Sequence, residues 1–429
     1  MRRLVLLSLV AGLSSAACSV STSSNSPAAN GASGPSCTAV VSSELLHVTT
    51  TGPGYALSAY PAPGGDPVVA LWFTGSVGGY QSGLSVAAFS PDNNKTTSES
   101  LHVFGPTSDL VATQLSSGVA LASSETSSAE LFITDLQSQI TYQPVQANAD
   151  SVAGVQVQAK KPVPIASKNG VFVIWLDKRP PADAQAAAPI AGLYGHLMSA
   201  DDQRTSADDV QFMQDGATEI SGGPEAYAGA ETPNGILVAW IAQGQDGHQH
   251  LYGNVGPGGK FPTSPNDPLT DLSDTTVGFD VVGVAMTAAV GASGNVLLVI
   301  EQSRNADQMH ELLAVVLGPD GSALQNKVLA AADDSSFGRA AIVATDSGWQ
   351  VAYASAQVSG DDIAYDTIHL ANVDDQANVD ASHDPAKTLD SGSISGNLVV
   401  VPTADAPSTV YFTTENGSDV SVQSVAACP

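Results

Sequence analysis

Short apolar runs, rather than long amphipathic stretches, dominate the chain after residue 37. Seven five-residue runs recur at intervals of 50 to 65 residues. Most of them follow an upstream apolar stretch across a tight turn with Gly, which is typical of β-hairpins. The runs are VVALW (68–72), GVALA (118–122), VFVIW (171–175), ILVAW (236–240), VLLVI (296–300), WQVAY (349–353) and TVYFT (409–413). The pattern predicts an all-β chain built from one repeated unit.

Each repeat predicts a four-stranded antiparallel meander. In the third unit we expect strands at 162–167, 171–176, 191–199 and 209–215. Seven units of this size are typical of a β-propeller, in which each sheet packs against its neighbours. The second unit, 108–147, is short and weakly patterned, so six and eight units remain as alternatives to seven.

The two ends of the repeat region complement each other. The last unit offers only three strands, at 397–404, 409–415 and 421–427, and an unassigned strand stands at Leu45 to Thr50. If that strand completes the last unit, two exposed sheet edges disappear at once. The sequence therefore predicts a seven-bladed propeller of four-stranded blades, closed by its N-terminal strand.

The N-terminus predicts export. Arg2 and Arg3 precede an apolar run, and small residues follow before Cys18, so residues 1–17 have the pattern of a secretory signal peptide. The run is too short to span a bilayer as a helix. The small residues before Cys18 resemble a bacterial lipobox, which implies lipidation of that cysteine. Ordinary cleavage after Ala17 is the alternative.

Two further segments follow the signal peptide. Residues 18–37 are rich in Ser, Ala, Asn and Pro and predict a flexible tether. Residues 38–429 then form a single propeller domain. Cys37 and Cys428 lie near the two ends of that domain, and in an oxidising compartment such a pair predicts one disulfide.

One motif carries a resemblance to known proteins. The stretch WLDKR (175–179), followed by LYG (193–195), resembles a Trp-x-Asp-x-Arg repeat common in secreted bacterial β-propeller proteins. The fourth unit keeps Trp240 and LYG (251–253) but lacks the Asp and the Arg. The resemblance implies a fold and a lipoprotein-like setting without an activity.

Charge restricts the partners. The chain has 14 basic and 42 acidic residues, and loss of Arg2 and Arg3 with the signal leaves 12 − 42 = −30. Such a surface repels nucleic acid and anionic lipid headgroups. We expect a monomer that meets the membrane only through an N-terminal lipid. No cofactor is expected, because the Asp-Asp pairs fall in predicted turns; weak Ca²⁺ binding is the alternative left open.

Candidate site residues lie near the loops between second and third strands. VFVIW is expected to be a second strand buried on both faces, after which Asp177 and Arg179 begin the loop as a partly exposed ion pair. The candidate catalytic residues are Glu301 and Asp177. The candidate binding residues are Arg179, Arg304, Trp175, Gln243, His248, Asp362 and Glu415.

Two hypotheses of function follow. The preferred one is a binding or scaffold module for a glycan or an envelope protein, located at the outer membrane or cell surface or secreted. The alternative is a polysaccharide-active hydrolase or lyase, which requires Glu301, Asp177, Arg179 and Arg304 to converge. The sequence contains no Gly-x-Ser-x-Gly elbow, so no motif supports a serine nucleophile.

Overall fold

The computed structural model divides into two units, Met1–Ser36 and Cys37–Pro429, and every described residue belongs to the second. No helix among the described residues has the length and apolarity to cross a membrane. The signal peptide, Cys18, the tether and Cys37 lie outside this part of the chain. The described residues are 41–42, 44–50, 55–60, 68–74, 84–90, 95–102, 107–115, 118–125, 128–134, 145–146, 151–152, 155–156, 159–179, 190–199, 209–212, 227–243, 249–257, 286–303, 310–332, 335–359, 362–389, 393–402 and 407–428.

Antiparallel sheets make up the described fold, which confirms the predicted all-β class. The first strand, β1 (Leu46–Thr49), pairs only at the far end of the chain, and we number the sheets from the strand after it. Sheets 1 and 2 each contain four sequential strands. Their strands are β2 (Tyr55–Tyr60), β3 (Val68–Thr74), β4 (Leu84–Ser90) and β5 (Lys95–His102), then β6 (Thr107–Leu115), β7 (Gly118–Glu125), β8 (Ser128–Thr134) and β9 (Val145–Gln146).

The middle of the chain repeats this arrangement. A two-stranded pair precedes sheet 3, sheet 4 has three described strands, and sheet 5 has four. The pair is β10 (Ser151–Val152) with β11 (Val155–Gln156), and sheet 3 is β12 (Lys160–Ser167), β13 (Gly170–Arg179), β14 (Ile190–Ser199) and β15 (Val210–Gln211). Sheet 4 is β16 (Tyr227–Thr232), β17 (Gly235–Gln243) and β18 (Gln249–Gly256), and sheet 5 is β19 (Met286–Val290), β20 (Val296–Ser303), β21 (His310–Leu317) and β22 (Ala323–Ala332).

Sheets 6 and 7 complete the described fold. In sheet 6 the strand order is β23-β24-β26-β27, and two further short strands, β25 and β28, pair with β24 and β26. In sheet 7 the order is β1-β31-β30-β29. Sheet 6 is β23 (Ser335–Thr345), β24 (Gly348–Ser359), β25 (Asp362–Ile363), β26 (Thr367–Val373), β27 (Val379–Asp380) and β28 (Lys387–Thr388). Sheet 7 adds β29 (Ser393–Val401), β30 (Thr409–Asn416) and β31 (Asp419–Ala426).

The turn between first and second strands follows from its glycine. In sheet 3, β12 and β13 pair directly up to Ser167 and Gly170, as the Lys168-Asn169-Gly170 signal predicts. Gly170 has φ +134°, and a Cβ there would lie 2.0 Å from the carbonyl oxygen of Met198. Only glycine fits, because both the backbone conformation and the approach of β14 exclude a side chain.

Buried side chains link each sheet to the next. The second strands have aliphatic and aromatic residues on both faces, so consecutive sheets share cores from sheets 1–2 through 6–7. A further core joins sheet 7 to sheet 1, where Val422 and Tyr411 pack with Leu57 and Leu71. The first strands of the sheets, β2, β6, β12, β16, β19, β23 and β29, lie side by side in that order, and β29 lies beside β2.

The N-terminal strand pairs where the sequence predicts. β1 aligns with β31, with Leu46 opposite Val422 and Thr49 opposite Asp419. An isolated bridge then joins Val41 to Val425. Cys428 is 8% exposed there, and the pairing with Cys37 stays a prediction.

Candidate functional site

Four of the first strands are bulged near the point where they begin. The irregularities fall in β6, β12, β23 and β29, at Thr107/Leu110, Lys160/Val163, Gly338/Ala341 and Ile394/Leu398. Because first and second strands are antiparallel, the second strands end beside these positions. We call this side of the sheets the bulged edge. Bulges redirect side chains and are frequent at barrel rims and active sites.

Glu301 reaches from sheet 5 to sheet 6 at the bulged edge. On β20, Ile300 packs in the core shared with sheet 4, so its neighbour Glu301 points the other way. The Tyr365 hydroxyl donates to Oε1 of Glu301 at 3.3 Å. Both side chains are partly buried. A carboxylate and a phenol from neighbouring sheets therefore meet at this edge.

Gly338 makes room for this pair. A Cβ at position 338 would lie 2.7 Å from Oε2 of Glu301 and 2.9 Å from the Tyr365 hydroxyl. Contacts that short are not tolerated, so a larger residue would displace one of the two groups. The bulge in β23 begins at this glycine, and Arg339, whose backbone is described but whose side chain is not, follows it.

A second pair of the same kind joins sheet 7 to sheet 1. Glu415, near the end of β30, is exposed. Tyr411, four residues earlier on the same face of the strand, packs toward sheet 1. The Tyr55 hydroxyl lies 3.2 Å from Oε2 of Glu415 and 2.8 Å from the carbonyl oxygen of Ser395. Its single proton therefore serves two acceptors on sheet 7.

A third tyrosine binds a bulge directly. On the first strand of sheet 4, Tyr227 donates its hydroxyl proton to the carbonyl oxygen of Lys161 in sheet 3. Lys161 lies within the bulge of β12 and has φ +56°, a conformation that non-glycine residues adopt rarely. Sequence reasoning missed Tyr55, Tyr227 and Tyr365, because their role depends on which strand begins beside which bulge.

The structure corrects the interpretation of Asp177 and Trp175. β13 continues to Arg179 instead of ending before Asp177, because residues 177–179 stay paired with residues 190–192 of β14. Asp177 is 2% exposed, so the predicted loop position and partial exposure are wrong. Trp175 is 0% exposed in the core between sheets 2 and 3, and a tryptophan so covered is a packing residue, not a ligand contact.

The structure places Asp177 and Glu301 against different neighbouring sheets. By strand alternation Asp177 shares the face of Trp175 and points toward sheet 2, whereas Glu301 points toward sheet 6. Gln243 ends β17 and Asp362 begins β25, and in both residues only the backbone is described, as for Arg179. Arg304 and His248 lie outside the described residues.

The bulged edge can form hydrogen bonds with a polar ligand. Carboxylates accept protons, and phenols both donate and accept, so the two Tyr–Glu pairs offer both kinds of group at the ends of the sheets. Within the described ranges, no group of three or more His, Cys, Asp or Glu side chains is arranged to hold a metal ion. The two described Tyr–Glu pairs supply oxygen acceptors and hydroxyl donors at this edge.

Comparison with known proteins gives weak structural likenesses. No family model matches the chain, and no curated protein matches it. A Trypanosoma rangeli sialidase in complex with the inhibitor DANA has 10% identity and a TM-score of 0.40, over 79% of this chain and 57% of the sialidase. An ulvan lyase bound to -[GlcA(1-4)Rha3S]- has 10% identity and a TM-score of 0.48, over 89% of this chain and 95% of the lyase.

A thermostable family-43 glycoside hydrolase is similar at 11% identity and a TM-score of 0.35, over 65% of this chain and 94% of the hydrolase. The chain thus spans little more than half the length of the sialidase that it matches. At such identities and TM-scores, we take neither an activity nor a ligand for this chain from these proteins.

Proposed function

We propose that the chain is a seven-bladed β-propeller, closed by β1, that acts outside the cytoplasm as a binding module for a glycan. Three observations support the architecture. The first strands succeed one another from β2 to β29 and back to β2, each sheet shares a core with the next, and β1 completes sheet 7. A propeller has this cyclic pattern of neighbours.

The Tyr–Glu pairs at the bulged edge carry the proposal of glycan binding. Glu301 of sheet 5 and Tyr365 of sheet 6 supply an acceptor and a hydroxyl group within hydrogen-bonding distance of each other. Sugar hydroxyls are both donors and acceptors, so such a pair can bind two neighbouring hydroxyls of one sugar. With 42 acidic and 14 basic residues, the chain favours a neutral or basic glycan over a sulfated or uronate-rich one.

A glycan array followed by calorimetry tests the proposal. Glu301→Gln and Tyr365→Phe each remove one half of the pair, and we expect at least about a tenfold loss of affinity because a hydrogen bond to a charged group is broken. Asp320→Asn is the matched control, since Asp320 is an exposed carboxylate in the β21–β22 turn at the opposite edge. Unchanged binding by both edge variants would contradict the proposed site.

A polysaccharide-active hydrolase or lyase is the second candidate, and the 3.3 Å contact between Glu301 and Tyr365 is the observation that favours it. A carboxylate beside a phenol can act as a general base while the phenol donates a proton to the leaving group. The wild-type protein should then release new reducing ends from a glycan that it binds, and Glu301→Gln should not. Binding without any cleavage would favour the binding module.

We further propose that Cys18 carries a lipid that tethers the domain at the outer membrane or cell surface, with a glycan or an envelope protein as partner. The Cys18→Ser protein should lose fatty-acid labelling and be released in soluble form. Membrane partitioning that is the same in wild type and variant would contradict the lipid anchor.

A further inference from the structure

Sheet 6 holds a line of serine, histidine and aspartate side chains that shares no residue with the Tyr–Glu pairs. Ser355 lies on β24, His369 on β26, and Asp384 in the segment between β27 and β28. Oγ of Ser355 is 2.9 Å from Nε2 of His369, and Nδ1 of His369 is 2.9 Å from Oδ2 of Asp384. Both contacts have hydrogen-bond lengths, so the three groups form one continuous chain.

The pairing of the strands creates this arrangement. Residues two apart on a strand share a face, so Ser355 lies on the same face as Tyr353. His369 is directly opposite Tyr353 in the ladder, and the two rings stack with centroids 4.9 Å apart and planes inclined by 13°. Tyr353 is buried in the core between sheets 5 and 6, so it holds the imidazole plane in place.

Asp384 is fixed from the other side. Its Oδ1 accepts hydrogen bonds from the backbone N–H groups of Leu370 at 3.0 Å and Ala386 at 2.9 Å. Oδ2 is therefore left to face the imidazole. The carboxylate cannot turn without breaking two backbone hydrogen bonds. Burial, and then the negative charge of Asp384, raise the pKa of Tyr353 well above its ordinary value, so this phenol stays neutral beside the histidine.

The hydrogen bonds specify the protonation of the imidazole. An ionised carboxylate only accepts, so Nδ1 of His369 carries the proton that is donated to Asp384. In the neutral ring Nε2 then has a free lone pair, and the Ser355 hydroxyl donates to it. This is the protonation state in which histidine can remove a proton from serine.

The residues are accessible enough to react. The side chains of His369 and Asp384 are 19% and 17% exposed, and Ser355 is partly buried. A nucleophilic serine needs this intermediate position, because full burial bars the substrate and full exposure leaves water competing for each hydrogen bond. The aspartate is held by backbone donors, the histidine by stacking and the serine by its strand, so the geometry is rigid.

We propose that Ser355, His369 and Asp384 form a hydrolytic centre that cleaves carboxylic esters. Oγ of Ser355 attacks the ester carbonyl carbon while Nε2 of His369 takes the hydroxyl proton. The carbon–oxygen bond to the alcohol then breaks, and His369 returns that proton to the departing alkoxide. Water, deprotonated by the same histidine, then attacks the acyl-serine. As the bond from the acyl carbon to Oγ breaks, His369 returns the proton to Oγ, which frees Ser355 and releases a carboxylic acid. Asp384 is a positioning residue.

Esters fit this centre better than amides. An alkoxide leaves more readily than an amide anion, so ester cleavage depends less on protonation of the leaving group than peptide cleavage does. The proposal is independent of glycan binding at the bulged edge. An ester-cleaving centre can be present whether or not Glu301 and Tyr365 bind a sugar, and the two are tested with different variants.

The chain supplies a matched control in a second serine–histidine contact. Oγ of Ser421 lies 3.2 Å from Nδ1 of His47, yet the other ring nitrogen of His47 is 3.9 Å from Asp419, and both side chains are nearly half exposed. No backbone N–H among the described contacts holds that carboxylate toward the ring. Ser421 should therefore not become a nucleophile.

The test uses the full exported chain, a fluorophosphonate probe and p-nitrophenyl acetate. Mass spectrometry should find the probe on Ser355 of the wild-type protein and not on Ser421. Ser355→Ala should abolish labelling, and Ser421→Ala should leave it unchanged. His369→Asn should slow ester hydrolysis by at least about a hundredfold, as loss of general base catalysis does. Asp384→Asn should lower kcat with little change in KM.

Several results would overturn the proposal. The first is a folded wild-type protein in which the probe does not label Ser355 and p-nitrophenyl acetate is hydrolysed no faster than in buffer alone. The second is hydrolysis that survives Ser355→Ala in full. If Ser355→Ala or His369→Asn fails to fold, site mapping of the probe on the wild-type chain decides, since it needs no variant. A lowered melting temperature without any labelled serine would mean that the three residues only brace sheet 6.

Discussion

Sheets 3 and 7 carry an acidic residue at the same place in the repeat, but it is buried in sheet 3 and exposed in sheet 7. Asp177 follows VFVIW by two residues, and Glu415 follows TVYFT by two. Asp177 is 2% exposed inside the stack of sheets, whereas Glu415 is exposed and contacts Tyr55 of the next sheet. An acid at the end of a second strand thus predicts nothing by itself about its surroundings.

The difference comes from the phase of the strand. Trp175 packs against sheet 2, so Asp177, two residues later, points the same way. In sheet 7 Phe412 packs against sheet 6 and Tyr411 against sheet 1, so Glu415 points toward sheet 1. Aligned by their apolar runs, the two strands are out of phase by one residue, and one residue changes the face of every side chain.

The largest effect should come from the way in which sheet 7 is closed. Sheet 3 is one continuous stretch, but sheet 7 joins β1 to the last three strands, and a Cys37–Cys428 disulfide would link those ends covalently. For a loop of this length the chain-entropy model gives such a bond about 6 kcal/mol of stability, so reduction should lower the melting temperature markedly. Thermal unfolding with and without reductant measures this.

The Cys428→Ser protein is the control for this measurement, since its melting temperature should already be low and should not respond to reductant. Non-reducing mass spectrometry should find the Cys37 and Cys428 peptides joined in the wild type. Two free thiols in the wild-type protein would remove the covalent difference between sheets 3 and 7.

A smaller effect should separate the two acids themselves. Asp177→Ala removes a buried acidic side chain and leaves the groups that interact with it without a partner. We therefore expect a loss of about 3 kcal/mol in the free energy of unfolding. Glu415→Ala should cost less than about 1 kcal/mol, because its carboxylate is exposed. Denaturant unfolding of both variants gives the comparison, and equal losses would show that burial does not distinguish the two positions.

Much of the fold was predictable because hydrophobic period and turn residues are local. The Lys168-Asn169-Gly170 turn, the order of the strands in sheet 3 and the pairing of β1 with the last sheet were expected as observed, although β13 continues three residues beyond its predicted end. The site was not. Contacts such as Tyr365 with Glu301 depend on bulges and on strand phase, and neither leaves a mark in the hydropathy of a single strand.

The Ser–His–Asp line illustrates the same limit. Ser355, His369 and Asp384 are separated by 14 and 15 residues along the chain, with no motif around any of them. Only the register that places His369 opposite Tyr353 brings them together. A search for a Gly-x-Ser-x-Gly elbow could not find them, because here the serine lies within a strand and not on a strand-to-helix turn.

The smallest predicted effect concerns how Tyr55 links sheet 7 to sheet 1. Its hydroxyl serves the Ser395 carbonyl at 2.8 Å and Glu415 at 3.2 Å, and the shorter contact is to the less exposed acceptor. Tyr55→Phe should cost about 1 kcal/mol, most of it from the carbonyl that loses its donor. Glu415→Gln should cost almost nothing, and the double variant should show coupling below about 0.5 kcal/mol. The coupling energy is measured by denaturant unfolding of the two single variants and the double variant. A value well above about 0.5 kcal/mol would mean that Glu415 interacts as strongly as a buried acid, so that Asp177 and Glu415 would differ in exposure but not in the strength of their interactions.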